Sequence, residues 1–489
     1  MGVRSEVLLT LAWAVLEQFS RELAHYTVAF YVADEPLVLF SEQKDLVRCI
    51  QHMLHFHAAT FLGRVPFWVP GLWPAVAWLF GGSAAAQSAS ANWPLVAEMV
   101  NSYVSQGKVA NMAATLGWGQ LGAEYIGQGN LALGTNAPVD SDSLYRIYSM
   151  TKPVTGIATM MCIDDGLISL DQPLAEILPA FANMQVQKEY NGAITPDNLE
   201  PAIRPITIRQ LLTHTAGLGY PSQPGPLATR LEELGLIAAL FTRRDIPGFA
   251  NLQGVSGLEA FTDGLAAMPL VYQPGVRWSY SYGLDVLGRV IEVVTGKKYD
   301  VFLKERIFDP CGMNSTWFQV PQSEAHRLTA NYAVQEDGLL EMDGQADSLY
   351  LEEPPYPFGG GGLVSSPRDY DRFLQMLIGY GEIDGTRVMS EPAVRLATSD
   401  LFPDTLAADG GFSMGPAEFG YGAGGLVGRG QMEGLFGWFG AAGTCGLAHM
   451  KWGLRSNLMT QYMPAQIYDV YGEFPAAMMG DAIAQLPTR

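Results

Sequence analysis

Ser149-Met150-Thr151-Lys152 stands at the start of an amphipathic run, and it constrains this chain more than any other feature. A serine and a lysine three residues apart at a helix start lie on one face, one turn apart. An amine is thereby set beside a hydroxyl with no histidine involved. Serine is a poor nucleophile at neutral pH, and a desolvated lysine can serve as its base. Val154, Ile157, Ala158 and Met161 mark the buried stripe of the helix that Ser149 opens, and Gly166 stops it. Pro153 fits because it falls in the first turn.

Size and charge narrow the function classes. At 489 residues the chain can bury a large core and hold more than one structural unit. A formal net charge of −20 argues against nucleic acid or anionic lipid as a main partner. The four cysteines, Cys49, Cys162, Cys311 and Cys445, are far apart with no C-x-x-C spacing, so neither a disulfide framework nor a zinc site is expected. Neither G-x-x-x-x-G-K-[ST] nor H-E-x-x-H occurs, so the reading needs no metal and no cofactor.

Three stretches follow one another along the chain. Residues 1–60 form an N-terminal extension with helical runs such as Val7–Leu16 and no assignable role. Residues 61–91 form a hydrophobic, signal-like stretch: Arg64, then an apolar run from Phe67 to Phe80 broken by Pro70, Gly71 and Pro74, then Ala84-Ala85-Ala86-Gln87. A positive residue, a short apolar core and an A-x-A site make an export signal, here about sixty residues deeper than usual. Export to a bacterial periplasm or medium is the expectation if residues 64–86 act so, from a true start near this segment. Otherwise the chain is cytoplasmic, or residues 61–86 associate with a membrane surface; the run is too short and too broken for a spanning helix.

From residue 92 to 489 the chain reads as a compact enzyme. Residues 112–134 suit an antiparallel meander. Residues 170–320 are mostly helical patterns with Pro- and Gly-rich loops. A helix is expected through Asp369–Ile378, Gly-punctuated strands over Gly437–Leu454, and a closing helix over Val470–Leu486. The fold class is α/β in the α+β sense. One antiparallel sheet, flanked by helices, draws on both ends of the domain (92–169 and 321–489), and a mainly helical lobe (170–320) is inserted.

Three clusters join the serine and lysine. Tyr280, in Trp278-Ser279-Tyr280-Ser281-Tyr282, precedes a helix carrying Leu284, Leu287, Ile291 and Val294 on one face. Beside a lysine ammonium its phenol ionises more easily and can act as a base. Trp438-Phe439-Gly440-Ala441-Ala442-Gly443-Thr444 is a small-residue strand whose backbone N–H groups could hold an oxyanion. Gly359–Gly362 leads into Leu363-Val364-Ser365-Ser366.

Together these resemble the serine β-lactamase-like superfamily of class C enzymes, penicillin-binding proteins and family VIII carboxylesterases, over roughly residues 92–489. The anchors are Ser149-x-x-Lys152, Thr207 to Leu218, Pro274-Gly275 through Tyr280-Ser281, Gly361-Gly362-Leu363-Val364-Ser365 and Trp438-x-Gly440. The resemblance implies Ser149 as nucleophile, Lys152 and Tyr280 as the proton-handling pair, and an oxyanion site between the N–H groups of Ser149 and Ala441. Tyr282, Trp438 and Gly440 are the implied substrate-binding positions. The departures decide the subfamily. Tyr280-Ser281-Tyr282 lacks the asparagine of Tyr-x-Asn. Trp438-Phe439-Gly440 replaces Lys-Thr-Gly, so an aromatic stands where a lysine would attract a lactam carboxylate. Trp-x-Gly is the version seen in family VIII esterases, and an apolar wall favours an uncharged acyl or alcohol group. The expected substrate is a small short-chain carboxylic ester, with weak β-lactam turnover as a side activity.

Other readings stay open at this level. A β-lactamase, D-peptidase, amide hydrolase or acyltransferase of the same family fits the motifs. So does a non-catalytic, membrane-associated binder that kept the fold, although an intact Ser149, Lys152 and Tyr280 speak against it. Gly411-Phe412-Ser413-Met414-Gly415 matches a nucleophile elbow, but Pro416 and a glycine run follow where a helix is required. His214, near an expected helix end, reads as a structural hydrogen-bonding residue.

Overall fold

Alternation along one strand organises the layers around the site. In β3 (Asn111–Trp118), Met112, Ala114 and Leu116 join one apolar cluster and Ala113 the other, as the two-residue period of a strand requires. The computed structural model describes residues 28–32, 35–40, 92–221, 225–246, 249, 253–414 and 417–486. N-terminal to Ala85 the chain forms a unit of its own, whose described part is an antiparallel hairpin, β1 (Val28–Val32) and β2 (Glu35–Phe40). The expected helical run Val7–Leu16 and the signal-like segment 64–86 lie outside the described residues.

In the second unit β3 pairs with β4 (Glu124–Gly129). Six strands from far along the chain complete the sheet: β5 (Ser413–Met414), β6 (Ala417–Tyr421), β7 (Leu426–Gly428), β8 (Leu435–Gly440), β9 (Thr444–His449) and β10 (Leu454–Thr460). Their order is β5-β6-β7-β8-β9-β10-β3-β4, antiparallel throughout. Helices cover both faces. On one lie α1 (Pro94–Ser105) and the C-terminal helix, Val470–Gln485. Trp93, Val96, Val100 and Tyr103 supply the buried side of α1, each large aliphatic group contributing about 1.5–3 kcal/mol on burial. Pro94 opens α1, and the carboxylate of Asp481 in the C-terminal helix accepts its free Leu95 and Val96 N–H groups.

The other face holds α2 (Thr151–Asp164), α3 (Gly283–Thr295) and α4 (Pro367–Ile378). The expectation of a single buried stripe on α2 needs correcting, since every residue from Thr151 to Cys162 is buried. A helix buried on all sides belongs at the centre of a large core, and α2 is packed by α3, by the helix Glu391–Ala397 and by the end of β8. Ser149 does not open α2 either. It sits in the 3-10 turn Tyr148–Met150, and Thr151 is the first α-helical residue. Pro153 is then the third helical residue, where its missing N–H costs no hydrogen bond.

Close backbone contact fixes α2 in place. A Cβ on Gly156 would lie 2.1 Å from Ala423 O and 2.4 Å from its carbonyl carbon. In an exposed helix, Gly→Ala stabilises by roughly 0.5–1 kcal/mol. Here the sign reverses, because backbone must move: Gly156→Ala should cost about 1–3 kcal/mol in denaturant unfolding. A more stable variant would contradict this packing.

Candidate active site

The turn carrying Ser149 is held in a strained conformation from both sides. Tyr148 has φ 41°, left-handed for a bulky residue and costly by about 1–3 kcal/mol. Its ring stacks on Phe241 at 5.6 Å and 16°, and its hydroxyl accepts from Asn331 at 3.2 Å. Just upstream, the fully buried Arg146 donates from Nε to Asp343 at 2.6 Å and from Nη2 to Ser348 at 2.9 Å. Gln461 grips the Arg146 backbone, accepting its N–H at 3.1 Å and donating to its carbonyl at 3.0 Å. These contacts offset the strain at Tyr148.

The side chains of Lys152 and Tyr280, the expected proton-handling pair, meet at Ser149 Oγ. Lys152 Nζ lies 3.2 Å from it and the Tyr280 hydroxyl 2.8 Å from it. Lys152 is fully buried, and Nζ also donates to Gly360 O at 2.5 Å. The ammonium sits 4.6 Å from the Tyr280 ring centroid and 5.8 Å from that of Tyr220. Removing this charge from water is expensive, so each of these contacts matters.

The glycine run Gly359–Gly362 supplies the acceptor. Thr155 Oγ1 on α2 donates to Gly359 O at 2.6 Å, one turn beyond Lys152. A Cβ on Gly359 would stand 2.5 Å from Leu284 O, and one on Gly360 would stand 2.5 Å from Asp285 Oδ2. Only glycine lets this backbone thread between α2 and α3. Asp285 on α3 is the residue the sequence reading missed. It is buried, and its Oδ1 accepts the Gly360 N–H at 2.8 Å. Burial pushes its carboxyl up to about 6, with Lys152 pulling the other way. An acidic residue three positions into a helix on an otherwise apolar face was the signal available.

His214 seats the Tyr280 loop. Thr207 and Gln210 form a reciprocal capping box that starts the helix Ile208–Leu212, and His214 follows at φ 55°. Its carbonyl accepts from Ser279 N–H at 2.9 Å, and its Nδ1 accepts from Ser281 N–H at 3.2 Å. Those two residues flank Tyr280, whose ring lies 4.7 Å from the imidazole. Burial, aided by the Lys152 charge, holds His214 well below its ordinary value, so the ring stays neutral.

Three implied substrate positions take other roles here. Tyr282 is fully buried and donates its hydroxyl to Leu236 O at 2.5 Å among Tyr220 and Phe261, so it is a core residue. Trp438 is only 7% exposed and stacks on Tyr280 at 6.1 Å and 18°, with Tyr421 and Phe412 packed around it. It backs the phenol rather than offering an open wall. Gly440 is buried, and a Cβ there would meet Thr444 Oγ1 at 2.1 Å and Ile147 O at 2.2 Å. The glycine lets β8 close on the segment that leads to Ser149. Ala441 is exposed in the following turn, and among the described residues its N–H has no hydrogen-bond partner. Ser413 lies on the short edge strand β5, not in a strand-to-helix turn. Among the described residues no cluster of three or more His, Cys, Asp or Glu could hold a metal.

With Ser149 Oγ between an ammonium and a phenol, the arrangement can pass the hydroxyl proton to the pair as a bond forms to a carbonyl carbon. Tyr280→Phe keeps the stack on Trp438 and removes only the hydroxyl. It should lower kcat by about 10²–10⁴-fold with little change in melting temperature. Wild-type turnover in that variant would remove Tyr280 from the chemistry.

Several known proteins resemble this chain. Residues 102–454 match the family model described as Beta-lactamase. Protein Rv1367c of Mycobacterium tuberculosis is 34% identical over 268 residues, 55% of this chain and 62% of that protein. The chain thus spans less than two thirds of that relative's length. The lovastatin esterase of Penicillium rubens is 29% identical over 334 residues, 64% of this chain and 76% of the other. Among solved structures, EstCE1, described as a hydrolase with promiscuous acyltransferase activity, superposes with a TM-score of 0.62 at 20% identity, covering 79% of this chain and 97% of that one. The mixed antiparallel fold is the one the sequence motifs imply.

Proposed function

The chain belongs to the Beta-lactamase family of folds, and from that premise we propose that it transfers acyl groups from small neutral carboxylic esters through an acyl-enzyme on Ser149. Its coarser place is among serine hydrolases and acyltransferases of this fold. The observation that carries the reading is Ser149 Oγ lying 3.2 Å from Lys152 Nζ and 2.8 Å from the Tyr280 hydroxyl.

In the proposed cycle the Ser149 hydroxyl attacks the ester carbonyl and its proton passes to the Tyr280–Lys152 pair. The N–H groups of Ser149 and Ala441 hold the oxyanion. The pair returns the proton to the departing alcohol oxygen, and the acyl group remains on Ser149. Water or a second alcohol, deprotonated by the same pair, then releases it. Of the pair, the Tyr280 hydroxyl lies nearer to Ser149 Oγ, at 2.8 Å against 3.2 Å for Lys152 Nζ.

The surroundings support a neutral substrate. By the family resemblance Trp438 stands where a lysine would pair with a carboxylate, and Tyr220, Trp278, Phe412 and Tyr421 complete the aromatic packing around Tyr280 and Trp438. A charge-assisted hydrogen bond of about 1.5–3 kcal/mol to an anionic substrate is therefore missing from that position. The likeness to a lovastatin esterase and to EstCE1, a hydrolase with promiscuous acyltransferase activity, favours transfer to an added alcohol as a second outcome of the same intermediate.

Nitrophenyl esters of about two to six acyl carbons should exceed a chromogenic cephalosporin in kcat/KM by at least about a hundredfold. Added short alcohols should divert part of the acyl group into a new ester. Equal efficiency on the cephalosporin would defeat the ester reading.

A further inference from the structure

Lys152 is buried, and among the described residues no carboxylate pairs with it directly. Its polar neighbours are Ser149 Oγ and Gly360 O. A buried ammonium held only by neutral oxygens and ring faces needs a counter-charge close by. One residue connects to it through the backbone. Gly360 gives its carbonyl to Lys152 Nζ and its N–H to Asp285 Oδ1. The second carboxylate oxygen, Oδ2, is buried and has no hydrogen-bond partner among the described residues. It lies against Gly360 so closely that a Cβ there would come within 2.5 Å.

We propose that Asp285 is a positioning residue of the reaction: its carboxylate fixes the Gly360 backbone that aims Lys152 and places a negative charge near the buried amine. The inference rests on the Ser149 acyl-transfer reading and deepens it. Gly360 O, so fixed, holds Lys152 Nζ within 3.2 Å of Ser149 Oγ, where the proton leaves. Protonating or neutralising Asp285 loosens that hold and removes a nearby negative charge, and turnover falls although no reacting atom has been touched.

The groups around Asp285 leave its partner unambiguous. Lys152 faces it from α2, Tyr220 from the segment after Leu218, Tyr299 from the helix Tyr299–Leu303, Tyr356 from the segment entering the glycine run, and Tyr282 from the start of α3. Burial pushes all four phenols up, so they are neutral at working pH. The Asp285 carboxyl itself is raised to about 6 by burial. A raised value means that ionisation weakens the fold as pH climbs from about 4 to about 6. A carboxylate kept at a cost to stability is what a residue retained for turnover looks like.

Asp285→Asn keeps the acceptor for Gly360 N–H and discards the charge. At pH 8 the variant should lose about tenfold or more in kcat, with KM within about twofold and a melting temperature no lower than wild type. The wild-type kcat should rise through pH 6, and the variant should lack that limb. The rate at which a fluorophosphonate labels wild-type Ser149 should rise through the same pH, a measurement that needs no variant to fold. A variant with wild-type kcat and pH limb overturns the proposal. So does a variant that melts lower and loses kcat but keeps the limb, or wild-type labelling that is flat through pH 6. If the fluorophosphonate labels a residue other than Ser149, the acyl-enzyme reading fails instead, which separates the two.

Discussion

The buried ammonium of Lys152 is the constraint to which its surroundings answer. A lysine with no exposed surface must find acceptors inside the protein or give up its proton. Four chain segments converge to supply its environment: the Ser149 turn, the Gly359–Gly362 run, the Tyr280 loop and the glycine turn between β6 and β7. In the last, Gly424 has φ 74° and a Cβ there would meet Lys152 O at 2.3 Å. Gly359, Gly360 and Gly424 each need the missing side chain for a geometric reason, so three glycines shape the backbone around this lysine.

Around that amine lies an aromatic enclosure. Tyr220, Tyr280, Trp278, Phe412, Tyr421 and Trp438 touch one another at centroid distances of 4.5–6.2 Å. Such rings lower the local dielectric and strengthen every charge interaction inside. They also limit motion at Tyr280, whose hydroxyl must stay within reach of Ser149. His214 secures the same loop through two backbone hydrogen bonds while staying uncharged, which spares Lys152 a second cation.

Much of this was legible in the residues, and the gaps have physical causes. The three-residue spacing of Ser149 and Lys152 and the loop position of Tyr280 are local signals, and the structure places all three side chains at one point. The helices at 94–105 and 367–378 carry apolar periodicity. The uniform burial of α2 was hidden because periodicity on one face says nothing of what covers the other. Tyr282 was misread since sequence proximity to Tyr280 does not fix direction. At the start of α3 its hydroxyl turns inward to Leu236 O. Trp438 was read as a substrate wall because its stacking partner, Tyr280, is far away in sequence. Asp285 escaped for the same reason. Its meaning depends on Gly360, 75 residues on.

The central claim is a covalent bond between Ser149 and an acyl group, and trapping that species tests it most directly. Wild-type enzyme mixed with a nitrophenyl ester and quenched with acid within the first turnover should show a burst of nitrophenol. Its intact mass should rise by one acyl group, and peptide mapping should place that group on Ser149. No burst and no mass increase, or an acyl group on another residue such as Ser413, would contradict the account.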